Sequence, residues 1–301
     1  VYQMLGVLLT NDDIMGESSY HHLLPVVVER LSKQGLLQES DGAQVVYPGG
    51  WVNREGEPMP VIISNADGGY NYATTDLACI IDRVERLGCD DLLYVVGTPQ
   101  SQHFDMVFEV AQQAGFMGDS HNAVHVKFGS VLDSDGKILK SREGEVIKLV
   151  DLLRESINRA EQAVAERNPE LKGAQRQEVA RAIGIGAVKY ADLSTERTKD
   201  YVFDWDRMLA FEGNTSPYLQ YAHARICSIF RRSGSERSTL SVTDIVLDRP
   251  EELLLARRLV NFAAVTDATL ATYSPHRLST YLHSVASPSA SFSAVCPVRG
   301  D

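Results

Sequence analysis

The sequence predicts an α/β domain followed by an all-helical one, and three observations carry that expectation. Between about residues 75 and 133, strand-length apolar runs alternate with helical stretches, the pattern of a parallel sheet with crossover helices. Beyond about residue 148 every periodic segment has helical spacing. Between the two lies "DGKILKSREG" (135–144), a cationic stretch fenced by Gly136 and Gly144.

In chain order, residues 21–35 read as a short helix stopped at Gly35. "LLQESDGAQVVYP" reads as a hairpin with Ser40-Asp41-Gly42 at its turn. A turn at Glu55-Gly56 leads into the strand "VIIS", and "ADGGY" turns the chain again. A helix from about Thr75 to Gly88, the strand "LLYVVG", a helix from about His103 to Gly115 and the strand "VHVKFGSVL" follow.

Leu149, Leu153, Ile157, Ala160 and Val164 then form one stripe at helical spacing, closed by Asn168-Pro169. A second helix covers roughly 174–192. Ser216 is the expected N-cap of a helix reaching about Arg232, with Pro217 at its first position. "SGSERS" reads as a polar linker before helices at about 250–273 and 276–286. The expected division is an α/β domain over 1–150, a helical connector over 151–200 and a helical domain over 201–301.

With 301 residues and 44% apolar content the chain can bury a sizeable core. No apolar run approaches the roughly 18 residues of a bilayer span. No basic stretch precedes a hydrophobic block at the start, so a cytoplasmic location is expected. Cys79, Cys89, Cys227 and Cys296 make no CxxC pair, which points away from a zinc site or a disulfide framework; no metal site is expected. A net charge of −11 argues against indiscriminate binding to nucleic acid or anionic membranes, and leaves a shaped RNA partner open.

Four constellations could carry chemistry. Lys137 and Lys140, followed by Ser141, supply compact ammonium charges suited to phosphate oxygens, on a segment that glycines allow to close. Such loops follow the carboxyl ends of parallel strands, where α/β sheets place ligands, although the same spacing also describes a solvated turn. "DGGYNYATTDLA" puts Tyr72 at the end of an extended segment and Asp76 in the first turn of the next helix. There Asp76 either complements the helix dipole or lines a pocket wall with Tyr72, where a carboxylate can grip a guanidinium by two parallel hydrogen bonds.

Gln100 and His103 follow a buried strand end, again the ligand-binding edge. In "EGNTSPYLQYAHARICSIFRR", Leu219, Ile226, Ile229 and Phe230 form an apolar face. Tyr218, Tyr221, Arg225 and Arg232 form a neighbouring stripe, able to stack on bases and hold phosphates or to serve as core. "GIGAVK" (184–189) lacks a third glycine and sits in a helical pattern, so it is no dinucleotide fingerprint.

Longer stretches are more specific. "LTNDDIMGES", "EGEPMPVII", "DGGYNYATTDLA", "HVKFGSVLDSDGKILKSREGEVIKLVDLL", "IGAVKYADLS" and "DYVFDWDRMLAFEGNTSPYLQYAHAR" resemble arginyl-tRNA synthetases, which are class I aminoacyl-tRNA synthetases, and "PHRLSTYL…CPV" extends the resemblance to the last residues. The resemblance implies the second half of a class I Rossmann-type catalytic domain followed by an α-helical anticodon-binding domain. "KILKS" (137–141) then looks like the family's "KMSKS"-type loop, with Lys137 and Lys140 neutralising the triphosphate and Ser141 beside them.

By the same resemblance Tyr72, Asp76 and Gln100 read arginine, while His103, His125, Val126, Phe128 and Gly129 lie along ATP. Asn214, Tyr218, Tyr221, Arg225 and Arg232 fall on the tRNA face. The implied substrates are L-arginine, ATP with Mg2+, and tRNA(Arg), taken by a monomer that engages neither DNA nor membrane.

Class I enzymes also use a "HIGH"-type motif, and no H-x-G-H stretch occurs here. The expectation is an internal piece of a longer enzyme, inactive alone. Two other readings stay open: a non-catalytic tRNA- or partner-binding module, and another nucleotide-binding α/β enzyme. The latter gives no reason for Tyr72, Asp76 and Gln100 to occur together.

Overall fold

Gly35 stops the first amphipathic helix with a φ of 69°, a left-handed turn that a residue without Cβ makes at no steric penalty. The helix it ends, α2 (Leu24–Lys33), follows the short α1 (Tyr2–Leu5) and a 3-10 stretch over Glu17–Leu23. Leu24, Val27 and Leu31 are its buried stripe. The computed structural model describes residues 1–137, 148–234 and 247–296. The chain divides into two units, one of Leu9–Phe128 and the other of Val1–Leu8 with Gly129–Asp301.

The Leu9–Phe128 unit begins its sheet at a two-residue turn. Asp41 and Gly42 take φ of 51° and 79°, the pair of left-handed residues a tight hairpin requires. Strand β1 (Gln38–Ser40) therefore pairs antiparallel with β2 (Ala43–Val46), Ser40 opposite Ala43, and β2 pairs antiparallel with β3 (Val61–Ser64). Helix α3 (Tyr72–Ile81) runs on into a π-helical turn, Asp82–Arg86, before β4 (Asp91–Tyr94). Helix α4 (Ser101–Gln113) leads to β5 (Asn122–His125), which lies parallel to β4 with Tyr94 opposite His125.

Leu31, Ile63, Leu77, Ile80, Val107 and Val110 meet in one core. Each such side chain contributes about 1.5–3 kcal/mol by leaving water. Asp82 is buried at the start of the π-helical turn, where Arg86 grips it through Nε and Nη2 at 2.6 and 2.7 Å. Those hydrogen bonds hold the Asp82 carboxyl below the usual carboxylate range, outweighing its burial.

The expected single strand "VHVKFGSVL" is two. After β5, Phe128 makes an isolated parallel bridge to Gly97, and β6 (Val131–Leu132) belongs to the other unit. At Gly129 the chain changes partner: its N–H donates to the Arg197 carbonyl at 2.7 Å, and a Cβ there would lie 2.6 Å from the carbonyl carbon of Lys199, so the chain passes close against another backbone. The helix expected from Thr75 also starts earlier, at Tyr72, because Asn71 caps it and accepts the Tyr72 N–H at 2.7 Å. Tyr72 is thus helical rather than extended, and Asp76 sits in the second turn, not the first.

In the other unit, α5 (Leu149–Arg167) and α6 (Gly173–Ser194) pack along the expected stripe. Leu153, Ala160 and Val164 are buried while Leu149 is exposed. Strand β7 (Tyr201–Val202) runs parallel to β6 and leads to the short α7 (Trp205–Met208). Helix α8 (Ser216–Ser233) is capped by Thr215, whose hydroxyl accepts the Tyr218 N–H at 3.3 Å; the expected cap, Ser216, is already helical.

The helix expected over 250–273 is two, α9 (Pro250–Leu259) and α10 (Phe262–Thr272), broken at Val260-Asn261. The last, α11 (His276–Val295), outruns its expected end and carries Pro288 within it. Arg197 donates to the carbonyls of Tyr273 (2.9 Å) and Thr272 (3.2 Å), satisfying the end of α10.

The glycines of "GIGAVK" serve close helix packing. A Cβ at Gly184 would lie 2.8 Å from backbone atoms of Ser156 and Ile157 on α5, and Ser156 Oγ donates to the Gly184 carbonyl at 2.8 Å. At Gly186 the obstruction is instead the side chains of Gln220 and Ser216 on α8.

Gly184→Ala should therefore lose about 1–3 kcal/mol in thermal melts, by overpacking, and Gly186→Ala less because its neighbours can rotate away. Asp82→Asn should lower the melting temperature at pH 7. The gap from the parent should close as pH falls through the depressed Asp82 value, since the stability from a lowered carboxyl is present above the unfolded value and lost in acid.

Candidate active site

Ala73, Thr74, Leu77, Ala78, Ile80 and Ile81 of α3 are buried, and the Thr74 hydroxyl donates to the Ile63 carbonyl of β3. With its inner face committed, α3 turns Tyr72 and Asp76, one helical step of four apart, to a common outward face. Helix α4 is fixed by the strand end: Thr98 donates through N and Oγ1 to the Phe128 carbonyl at 2.9 and 3.0 Å. The 3-10 turn Thr98–Gln100 then feeds α4, placing Gln100 at its N-cap and His103 in its first turn. The Gln100 side chain makes no cap bond and is exposed.

His103 Nε2 meets Asp76 Oδ2 at 2.6 Å, with the Asp76 side chain 29% and the His103 side chain 19% exposed. An ionised carboxylate only accepts, so Nε2 carries the hydrogen. The bond uses Oδ2, and Oδ1 stands outside it. The Tyr72 ring, 63% exposed, lies 4.9 Å from the His103 ring centroid to centroid. His103 in turn meets Phe104 edge-on at 5.2 Å, and Phe104 lies 5.1 Å from His125.

His125 donates from Nε2 to the Val96 carbonyl at 2.9 Å. In the neutral ring its Nδ1 is then an acceptor, and that atom is buried with no hydrogen-bond partner among the described residues. Val126 offers little but backbone: its side chain is buried and its N–H donates to the Tyr94 carbonyl at 2.9 Å. Phe128, by contrast, exposes its ring.

The carboxyl edge of β4 and β5 thus gathers Tyr72, Asp76 and His103 in direct contact, with His125 joined to them through Phe104. Gln100 lies on the turn that begins α4. Sequence reasoning put His103 on the nucleotide and missed its bond to Asp76, because the two are 27 residues apart and no local pattern links them.

In the Gly129–Asp301 unit, "DSDG" is the turn expected: Gly136 has φ 75°, and Asp133 Oδ1 accepts the backbone N–H groups of Asp135 and Lys137 at 2.9 Å each. Lys137 ends this turn, while Lys140 and Ser141 lie outside the described residues. Tyr221, Arg225 and Arg232 are exposed along α8. Tyr218 is half-buried with its ring 5.6 Å from that of His283 on α11. The Asn214 amide oxygen accepts from the Tyr190 hydroxyl at 2.7 Å, and that hydroxyl also lies 3.0 Å from the Ser279 carbonyl. Burial pushes the Tyr190 phenol up to about 12.

Among the described residues no helix is long and apolar enough to cross a membrane. The family model "tRNA synthetases class I (R), catalytic domain" matches residues 1–205, and the "DALR anticodon binding domain" model matches residues 219–301. Fold and matches together define a portion of a class I tRNA synthetase catalytic domain followed by helices of the anticodon-binding type.

An arginine–tRNA ligase of Thermobifida fusca is 48% identical over 298 residues, covering 99% of this chain and 51% of that protein. One from Edwardsiella ictaluri is 47% identical over 297 residues, with coverage of 99% and 51%. The crystal structure of arginyl-tRNA synthetase from Plasmodium falciparum superposes with a TM-score of 0.86 at 27% identity, covering 99% of this chain and 50% of that one. The chain belongs to the arginyl-tRNA synthetase family, and it spans about half the length of the curated relatives it matches.

Proposed function

We propose that the protein carrying these residues activates L-arginine with ATP and transfers it to the 3′ end of tRNA(Arg). The observation that supports this reading most is the shared outward face of Tyr72 and Asp76 on α3, beside the carboxyl edge of a parallel strand pair. In it Asp76 takes the guanidinium, with Tyr72 and Gln100 fixing its orientation. A carboxylate oxygen of arginine attacks the α-phosphorus, the bond to the bridging oxygen breaks and pyrophosphate leaves. The terminal ribose hydroxyl of the tRNA then attacks the acyl carbon, and AMP leaves.

ATP lies along His125, Val126, Phe128 and Gly129. Lys137, Lys140 and Ser141 act on the triphosphate, where ammonium groups stabilise charge developing in the transition state. Mg2+ travels with the phosphates; the described residues contain no group of three His, Cys, Asp or Glu side chains fit to hold it. In this reading residues 1–150 are catalytic, 151–200 connect and contact the tRNA stem, and 201–301 bind the anticodon region. The protein works as a cytoplasmic monomer.

Tyr221, Arg225 and Arg232, exposed on one side of α8, support tRNA contact by the helical half and also favour a second reading, a non-catalytic tRNA-binding module. Salt titrations of tRNA(Arg) binding separate the two. Specific binding by residues 201–301 without arginine or ATP favours the module.

Asp76→Asn in the full-length enzyme should lower kcat/KM for arginine more than tenfold, about 1.4 kcal/mol of transition-state stabilisation; unchanged values would remove Asp76 from the pocket. The 301 residues alone, which hold no H-x-G-H stretch, should give no measurable arginylation of tRNA(Arg). Robust turnover would overturn that expectation.

A further inference from the structure

We infer that His103 is a positioning residue for Asp76: its imidazole fixes the carboxylate so that Oδ1 is presented to the arginine guanidinium. The inference rests on the arginine-site reading of Asp76 and gives His103 a task on the amino-acid side of the site. Three observations carry it.

The first is the bond itself. Asp76 Oδ2 and His103 Nε2 lie 2.6 Å apart, a direct hydrogen bond, and one made to an ionised carboxylate is stronger than one between neutral groups. An aspartate on a helix surface turns freely about two side-chain torsions, and anchoring one oxygen removes that freedom before ligand arrives. The second is the shielding of the pair. At 29% and 19% exposure, both groups are partly withdrawn from water, so the hydrogen bond competes less with solvent than an open surface pair does.

The third is the bracing of the imidazole. Its ring contacts those of Tyr72, tilted at 4.9 Å, and Phe104, edge-on at 5.2 Å, and α4 is itself tied to the strand end through Thr98. Anchor, brace and helix start form one rigid unit, the kind of support that keeps a binding group in its productive geometry.

The arrangement also restricts what else His103 can do. With Nε2 engaged, a contact to nucleotide falls to Nδ1, a lone-pair acceptor in the neutral ring. An imidazole that positions Asp76 acts on arginine recognition and leaves ATP recognition nearly untouched. A residue that holds ATP does the reverse.

The test uses the full-length enzyme and steady-state arginylation with each substrate varied in turn. His103→Ala should raise the arginine KM about tenfold with the ATP KM within twofold of the parent. His103→Gln, whose amide N–H can still reach Asp76, should recover most of that loss. A rise in the ATP KM alone, or a fall in kcat with both KM values unchanged, would overturn the inference. So would an equal loss in His103→Ala and His103→Gln.

Asp76→Asn run in parallel distinguishes the two levels. If it leaves the arginine KM unchanged, the arginine-site reading fails. If it raises that KM while His103→Ala does not, only the positioning role fails. Should His103→Ala misfold, His103→Gln and His103→Asn carry the comparison: Gln nearer the parent than Asn supports the role, and equal defects in arginine KM oppose it.

Discussion

A carboxylate partly withdrawn from water is steadied by a hydrogen-bond partner, and for Asp76 that partner is the His103 imidazole. Helix α3 commits Ala73, Thr74, Leu77, Ala78, Ile80 and Ile81 to the core, so its orientation has little latitude. Asp76 emerges on the remaining face and meets α4 at 2.6 Å. The placement of Tyr72, Gln100 and His125 follows from the same framework: β4 and β5 in parallel register, the Thr98 bonds to Phe128, and a helix beginning at the strand end. In open α/β sheets ligands bind at the carboxyl edge, where strands stop and donors, acceptors and side chains become available.

Much of this framework is legible in local sequence. Asp41-Gly42 declares its hairpin because few residue pairs accept two left-handed conformations in succession. The stripe from Leu153 to Val164 declares α5 because a helix repeats its face every 3.6 residues. "DSDG" declares its turn through the short side chain of Asp133, which reaches the following backbone N–H groups.

What local pattern misses depends on distant chain. "VHVKFGSVL" is rich in β-forming apolar residues and reads as one strand, yet it divides at Gly129, where the backbone pairs with the distant segment that carries Arg197 and Lys199. The stop at Val260-Asn261 has no glycine or proline to announce it, so periodicity alone carries the helix through. Tyr218 lies on the same stripe as exposed Tyr221, yet it is half-buried, with its ring 5.6 Å from that of His283 on α11. The Asp76–His103 contact belongs to the same class: each residue is ordinary in its own segment, and their meeting is a property of the packed unit.

The two regions present different kinds of surface. In the Leu9–Phe128 unit a few polar atoms are held by rigid elements, with the imidazoles of His103 and His125 bonded through Nε2 to Asp76 and to the Val96 carbonyl. Along α8 the exposed Tyr221, Arg225 and Arg232 offer stacking and charge, a surface suited to a large anionic partner. A crystal structure of the full-length enzyme with bound L-arginine tests the central claim most directly. The account predicts the guanidinium within hydrogen-bond distance of Asp76 Oδ1 while His103 Nε2 remains on Oδ2. A guanidinium bound elsewhere, or one that displaces His103 from the carboxylate, would contradict it.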